Sequence, residues 1–259
     1  MRRRHALIAA VGLRGATAQA EPALPALRVL RTASQAQLPL KFDRANPHRP
    51  GICIEIIQAL SRLDTGLRFE GLARELPLKR VVQELANDEL DLFFSLIPTE
   101  ERKRQVDFLD GPPLYESRHQ LAVRADDPVD VRSIDDLRAL GPMGLVLTTH
   151  GTAYSEFLQQ FDGIALYPQA LSNEQNLRML LAGRGRFFYH AGSTLRDHIE
   201  RLGLQNQVRI LPAVFKVDEQ RVGCSRRLPL TVRQRVTAAL QRLWQSGELS
   251  RLRQKYGVT

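Results

Sequence analysis

Short apolar runs alternate with helical apolar stripes in the first third of the chain. Apolar residues at 52, 56, 57, 60 and 63 share one helix face, so a helix is predicted over 52–63. Val81, Val82 and Leu85 form a similar stripe within 78–86. Because strands that alternate with helices form βαβ units, the pattern indicates parallel strands. The apolar runs that predict these strands lie at 27–32, 67–70 and 90–96.

A second block of the same kind follows a predicted strand at 120–124. Ser133 and Asp136 have the spacing of a capping box before a short helix. A long apolar stripe then follows Pro229 and ends at Gly247, before a short final helix over 248–255. Between the capping box and this stripe, strands are predicted at 144–148, 164–167 and 186–190, and helices at 154–160, 173–182 and 193–202. The whole chain is therefore expected to be an α/β protein.

The N-terminus has the pattern of a cleavable signal peptide. Three arginines precede a short apolar stretch over 6–13, and Ala18-Gln19-Ala20 is an A-x-A cleavage site, so residues 1–20 are predicted to be removed during export. The apolar stretch is too short to span a bilayer. We therefore expect a periplasmic protein.

Composition argues against several other classes. Four arginines lie in the first twenty residues, which contain no acidic residue, so the rest of the chain carries +5 of the formal charge of +9. The remaining basic residues alternate with acidic ones, which is typical of a solvated surface and not of a nucleic-acid groove. Cys53 and Cys224 are too few for a zinc site, so no metal and no cofactor is expected; whether the two thiols pair is open.

The segment 95–108 contains the clearest candidate for binding chemistry. Thr99 follows Pro98 and is a plausible N-cap, which places Arg102 in the first turn of a helix. Backbone N–H groups and the helix dipole favour an anion there, and a guanidinium holds a carboxylate through two parallel hydrogen bonds. The alternative is a surface arginine that pairs with Glu101 or Asp107.

The order of several short motifs resembles the periplasmic solute-binding proteins of family 3, the amino-acid receptors of ABC importers. The most specific is Thr99-Glu100-Glu101-Arg102 followed by Phe108 and Tyr115, which is similar to the family's Thr-Glu-x-Arg signature. The resemblance covers nearly the whole mature chain. Its other motifs lie at 39–42, Gly51 with Glu55, 76–80, 89–91, 144–147, Gly151-Thr152, 180–184 and Tyr256-Gly257.

This resemblance implies a two-lobed periplasmic-binding-protein-like fold of type II. Lobe 1 would comprise 21–116 and 221–259, and lobe 2 would comprise 117–220. The chain would cross between the lobes on two hinge strands near 116–120 and 214–221. The tail of the chain would return to lobe 1, and a ligand would bind in the cleft between the lobes.

The resemblance also implies roles for individual residues. Arg102 matches the arginine that grips the ligand's carboxylate, and Ser95 matches a serine that hydrogen-bonds the ligand. Thr152 after Gly151 matches a loop of the second lobe that meets the carboxylate from the other side. The alternatives are a strand-end serine that bonds its own backbone and a simple Gly-Thr helix cap.

Three further residues are candidates for the pocket wall. Leu78 falls where the family often has an aromatic wall, although a core leucine would look the same. His190 and Tyr154 could line the pocket, and the alternative is that both are structural.

The chain departs from the family where the ligand's ammonium group is usually bound. An Asp commonly follows the strand that reads Phe187-Phe188-Tyr189-His190, but this chain has Ala191-Gly192. A buried ammonium without a counter-charge is costly, so an α-amino acid would need Glu116 or Glu55 in the cleft. We therefore expect a polar or acidic small molecule held by Arg102.

The expected function is capture of this solute by lobe closure and delivery to an ABC permease, by a monomer without nucleic-acid partners and without enzymatic activity. One alternative is an enzyme on the same fold, similar to cyclohexadienyl dehydratases, with Glu116 as its acid. The other is a receptor that serves a signalling partner. The ligand chemistry would be the same in transport and in sensing.

Overall fold

The computed structural model describes residues 28–259, so the predicted signal peptide and Leu27 lie outside the described residues. Twelve strands are assigned in this part of the chain: β1 (Arg28–Arg31), β2 (Ser34–Gln35), β3 (Leu67–Glu70), β4 (Glu75–Leu76), β5 (Leu92–Leu96), β6 (Asp107–Phe108), β7 (Tyr115–Arg124), β8 (Val146–Thr149), β9 (Leu166–Ala170), β10 (Phe187–Ala191), β11 (Val208–Ile210) and β12 (Lys216–Cys224).

The α-helices follow the predicted stripes closely. Both helices predicted in the first block have the expected bounds, and the capping box between Ser133 and Asp136 is present. Across residues 28–259 the helices are α1 (Ile52–Leu63), α2 (Leu78–Ala86), α3 (Glu100–Lys103), α4 (Ile134–Ala139), α5 (Ala153–Leu158), α6 (Asn173–Leu181), α7 (Gly192–Arg201), α8 (Leu230–Gln245) and α9 (Glu248–Tyr256).

The buried apolar side chains fall into two groups, which define the lobes. One cluster is drawn from 30–115 and 222–258, and we call this part lobe 1. Two adjoining clusters are drawn from 121–215 together with Ile97, and we call this part lobe 2. In both lobes parallel strands pair, β1 with β3 and β8 with β9 and β10, as the βαβ pattern predicts.

Two long strands connect the lobes. Residues 115–119 of β7 pair antiparallel with residues 216–220 of β12, where the crossings were predicted. Beyond this pairing, β7 continues along β10 in lobe 2, whereas β12 continues along β5 in lobe 1. β7 begins before the strand predicted at 120–124. The polar residues at its start pair with β12 and do not pack in a hydrophobic core, so no apolar pattern indicated them.

The C-terminal helices pack on α1 in lobe 1, as expected for the returning tail. The Tyr256 hydroxyl accepts a hydrogen bond from Gly51 N at 3.0 Å and donates one to Glu55 Oε1 at 2.7 Å. Gly51 has φ of 102°, and a Cβ there would lie 2.3 Å from the carbonyl oxygen of Lys41, so only glycine fits. Glu55 is therefore held by the tail and does not reach the cleft.

Both cysteines are free and buried in the core of lobe 1, so they do not form the disulfide that the sequence left open. Burial raises the pKa of the Cys53 thiol to about 12 and that of Cys224 to about 11. Neither thiol is therefore reactive near neutral pH.

Candidate functional site

The cleft between the lobes contains a small central cavity of about 30 Å³. Two larger grooves of about 340 and 720 Å³ flank it, and Leu78 lines all three spaces. Six of the seven predicted site residues line the central cavity, whereas Gly151 lines only the largest groove. The residues around the central cavity are Gln35, Leu38, Lys41, Leu78, Ser95, Leu96, Ile97, Arg102, Thr152, Ala153, Tyr154, His190 and Gln220.

Arg102 is buried in the cleft and not on the surface. Thr99 caps α3 by accepting a hydrogen bond from Arg102 N at 3.3 Å, as predicted. The side chain is 5% exposed, and its Nη1 donates to the carbonyl oxygen of Ile97 at 3.1 Å. The alternative of a surface pair with Glu101 or Asp107 is therefore wrong. Burial lowers the pKa of the guanidinium, which nevertheless stays protonated at any ordinary pH.

One carboxylate of lobe 2 approaches Arg102. Glu156 Oε1 lies 3.8 Å from Arg102 Nη2, which is an ion pair across the cleft but too long for a hydrogen bond. A second charged pair joins the lobes, since Arg201 Nη1 of lobe 2 bonds Asp43 Oδ2 of lobe 1 at 2.8 Å.

Ser95 begins a hydrogen-bond chain that runs beneath the cavity. Its Oγ lies 2.6 Å from the Tyr115 hydroxyl and donates to Gln220 Oε1 at 3.0 Å. Gln220 Nε2 donates to Ser117 Oγ at 2.7 Å, and the Tyr154 hydroxyl of lobe 2 donates to the same oxygen at 3.3 Å. The chain passes from lobe 1 through both crossing strands to lobe 2.

The backbone of Ser95 is strained. Its φ of 71° lies in the left-handed region that residues other than glycine rarely adopt, at a cost of about 1–3 kcal/mol. Strain of this kind persists only where the surroundings hold it, and here the residue is the second-last of β5 and lines the cavity.

The lobe 2 wall is formed by α5 and the end of β10. Thr152 is the N-cap of α5, and its hydroxyl donates to the carbonyl oxygen of Thr149 at 2.7 Å. The hydroxyl therefore has no proton left for a ligand, which favours the helix-cap alternative for its side chain. Tyr154 packs on His190, with ring centroids 4.0 Å apart.

His190 presents one hydrogen-bond donor towards the cleft. Its Nδ1 accepts a hydrogen bond from Ala191 N at 2.8 Å, so the neutral ring carries its proton on Nε2. Burial lowers the pKa of His190 well below its usual value, and the positive charge of Lys41 acts in the same direction. The ring is therefore neutral at pH 7.

Lys41 is the main residue of the cavity that the sequence analysis missed. Its Nζ donates to the carbonyl oxygen of Ser95 at 3.0 Å and lies 3.5 Å from Gln35 Oε1. Burial lowers its pKa to about 8, and the charge of Arg102 contributes. The one available signal was its place in Pro39-Leu40-Lys41-Phe42, where a lysine interrupts an apolar run.

No carboxylate stands at the position of the expected aspartate. Ala191 ends β10 and Gly192 begins α7, with Gln120 Oε1 1.8 Å from the place that a Cβ on Gly192 would take. Glu116, the other sequence candidate, lies on β7 with its carboxylate half exposed and 4.0 Å from Arg118. No Asp or Glu is among the described residues that line the central cavity.

Within residues 28–259 there is no group of three or more His, Cys, Asp or Glu side chains arranged to hold a metal ion. No helix in the same range is both long and apolar enough to cross a membrane.

Comparison with solved structures shows the fold class directly. The ligand-binding core of GluR0 from Nostoc punctiforme, in complex with L-glutamate, superposes with a TM-score of 0.71 at 20% identity, over 88% of this chain and 98% of that one. The substrate-binding protein of an amino acid ABC transporter gives 0.72 at 21% identity, over 88% and 99%. A histidine kinase sensor domain similar to periplasmic binding proteins gives 0.74 at 20% identity, over 89% and 97%. At these identities the likeness shows the two-lobed type II fold and no more.

No curated protein matches the chain. The family model for bacterial extracellular solute-binding proteins, family 3, matches residues 30–259, which is most of the chain. The resemblance inferred from the order of the motifs is therefore confirmed, and the chain belongs to family 3 of the bacterial extracellular solute-binding proteins.

Proposed function

We propose that this protein captures a small polar solute that carries a carboxylate, an amino acid or a related compound, and delivers it to an ABC importer. The observation that carries the proposal is the buried guanidinium of Arg102, which has one neutral acceptor in Ile97 and a carboxylate, Glu156, beyond hydrogen-bond distance. A guanidinium in this state binds a carboxylate strongly because it is already desolvated and positioned.

Closure of the lobes would bury the solute. We assign 21–116 and 221–259 to lobe 1 and 117–220 to lobe 2, so that rotation occurs about β7 and β12. The contacts from Arg102 to Glu156 and from Arg201 to Asp43 support this proposal, since each joins one lobe to the other. Ligand binding would then shift a population of open and closed forms. We further propose a monomer that works in the periplasm after removal of residues 1–20.

A sensing role is the second candidate, because one structural neighbour is a histidine kinase sensor domain. An enzymatic role has less support: Glu116, its candidate acid, is half exposed and does not line the central cavity. We therefore propose binding without turnover.

The test is a binding screen of the purified protein against amino acids, organic acids and opines. A ligand present at a hundred times its dissociation constant should add about 2.7 kcal/mol to the free energy of unfolding. Arg102→Ala should weaken binding of any hit by about 100-fold, since it removes a buried charged partner. Arg104→Ala is the matched control, because Arg104 lies two residues further on and is exposed.

Binding that survives in Arg102→Ala would contradict the proposal. Turnover of a hit, followed by chromatography of the recovered ligand, would favour the enzyme.

A further inference from the structure

The central cavity has two cationic side chains and no acidic ones. Lys41 reaches it from the loop before α1, and Arg102 reaches it from α3, both from lobe 1. The carboxylates that act on Arg102 are those of Glu156, at 3.8 Å, Glu101 and Asp218. Asp218 is held by Lys216 at 2.9 Å and lies 3.0 Å from His119 Nε2. None of the three acids lines the cavity.

Lys41 has only neutral partners. Its ammonium group bonds a backbone carbonyl and lies near an amide oxygen, and no ion pair joins it to any carboxylate among the described residues. Burial of an ammonium without a counter-charge is costly, and proteins keep such groups mainly where function requires them. The charge is therefore available to an anion that enters the cavity.

A ligand ammonium group has no acidic partner among the residues that line the central cavity. Ala191-Gly192 stands where an aspartate usually follows this strand, and the carbonyl of Ser95 already bonds Lys41. An ammonium placed in the cavity would also be repelled by Lys41 and Arg102.

A neutral hydrogen-bond donor also favours an anionic ligand in the cavity. His190 presents its Nε2–H to the cavity, because its Nδ1 is occupied by Ala191 N. The adjoining groove of about 340 Å³ shares His190 with the cavity and is also free of acidic lining residues. The cavity and this groove together are of the size in which small ligands bind.

We infer that the solute is a small dicarboxylate without an ammonium group, with one carboxylate held by Arg102 and the other by Lys41. This inference rests on the proposed solute-binding function and narrows its ligand class.

The experiment is isothermal titration calorimetry with dicarboxylates of increasing length, from malonate to adipate. Each is paired with the monocarboxylate of equal chain length, and L-glutamate is included. The variants are wild type, Arg102→Ala, Lys41→Met and Lys103→Met. Lys103 is an exposed lysine on α3 that lines neither the cavity nor the two grooves, so Lys103→Met controls for a general change in charge.

We expect one dicarboxylate to bind wild type at least about 100-fold more tightly than its paired monocarboxylate, because it gains a second buried charge pair. Lys41→Met should reduce this ratio to less than about tenfold, whereas Arg102→Ala should weaken both ligands. Lys103→Met should leave the ratio as in wild type.

Other outcomes separate the two proposals. If L-glutamate or a monocarboxylate binds as tightly as every dicarboxylate, in an Arg102-dependent way, the dicarboxylate inference is wrong and the solute-binding function stands. If no carboxylate binds wild type, both are wrong.

Should Lys41→Met fail to fold, wild type provides a second measurement. Titration at pH 9 in two buffers of different ionisation enthalpy should show uptake of about one proton per dicarboxylate, since binding would recharge Lys41. No uptake would overturn the inference.

Discussion

Arg186 in lobe 2 and Lys41 in the cleft are both basic side chains beside buried strands, but their surroundings differ. Arg186 bonds both oxygens of Asp127, at 2.8 and 3.0 Å, and holds the pKa of that carboxyl below its usual value. Arg235 and Asp64 form the same two-bond pair in lobe 1, at 2.7 Å for each bond. Lys41 has no such partner.

The difference shows how the chain distributes charge. In both of these pairs, the cation has a carboxylate supplied from another part of the chain. In the cleft, Arg102 has one distant carboxylate and Lys41 has none among the described residues. A structural cation would be destabilised by that arrangement, whereas a binding cation gains from it.

The largest expected effect concerns a structural pair. Arg186→Ala should lower the free energy of unfolding by about 3 kcal/mol, because it leaves the buried Asp127 carboxylate without its counter-ion. Urea denaturation of the variant measures this loss. Arg184→Ala, an exposed neighbour, should change stability by less than about 0.5 kcal/mol. Equal effects of the two variants would show that the pair is not structural.

Lys41→Met should instead raise the free energy of unfolding near pH 7. Its pKa of about 8 in the folded protein lies below the unfolded value, so the charged form destabilises the fold below pH 8. The stability of wild type should therefore rise between about pH 8 and the unfolded pKa near 10.4, and Lys41→Met should lack this rise. Near pH 7 the variant should be more stable than wild type by about 1 kcal/mol. If Lys41→Met were less stable than wild type at pH 7, Lys41 would stabilise the fold as Arg186 does, and the comparison between them would be wrong.

Binding should respond to pH through the same group. Cys53, Arg102 and His190 surround the ammonium of Lys41, and the first two act on its pKa directly. Below about pH 8 Lys41 is charged and a dicarboxylate should bind with constant affinity. Above that pH the dissociation constant should rise by up to about tenfold per pH unit, because the free protein must take up a proton. A flat profile in wild type from pH 7 to 9.5 would argue against a role for Lys41.

A smaller effect is expected from Glu156. Glu156→Gln removes the carboxylate that lies 3.8 Å from Arg102, so an incoming carboxylate no longer competes with it. Affinity for the ligand should increase by roughly threefold, in line with a weak ion pair. Glu100→Gln, an exposed acid on α3, should leave affinity unchanged. A loss of affinity in Glu156→Gln would mean that Glu156 contacts the ligand itself.

The fold was predictable because most of its elements bury one face. α1 and α2 have the bounds that their apolar stripes indicate. The strand predicted at 90–96 begins only at Leu92, because Asp91 bonds Arg31 before the pairing with β12 begins. Residues that pair strands or bind a charged side chain, and do not pack in a core, show no periodic pattern of apolar positions.

The same limit applies to the site. Arg102 and Ser95 could be assigned from the order of motifs, and Tyr154 was a candidate for the pocket wall; all three line the cavity. Lys41 could not, because lysine is almost never fully buried and pattern reading places it on the surface. Gln220 was also missed, since one amide in a crossing strand resembles any polar surface residue.

The hydrogen-bond chain through Gln220 has a fixed direction. The one proton of Ser95 Oγ goes to Gln220 Oε1, so the Tyr115 hydroxyl must be the donor in its 2.6 Å contact with Ser95. The Gln220 amide continues this donor-to-acceptor order, because its nitrogen donates to Ser117 Oγ. Only a side chain that accepts at one atom and donates at another keeps this order, so a carboxylate at 220 would remove the 2.7 Å donor to Ser117 Oγ and leave the longer bond from Tyr154. The direction of hydrogen bonding between the two lobes is thus set by a single amide at the place where they join.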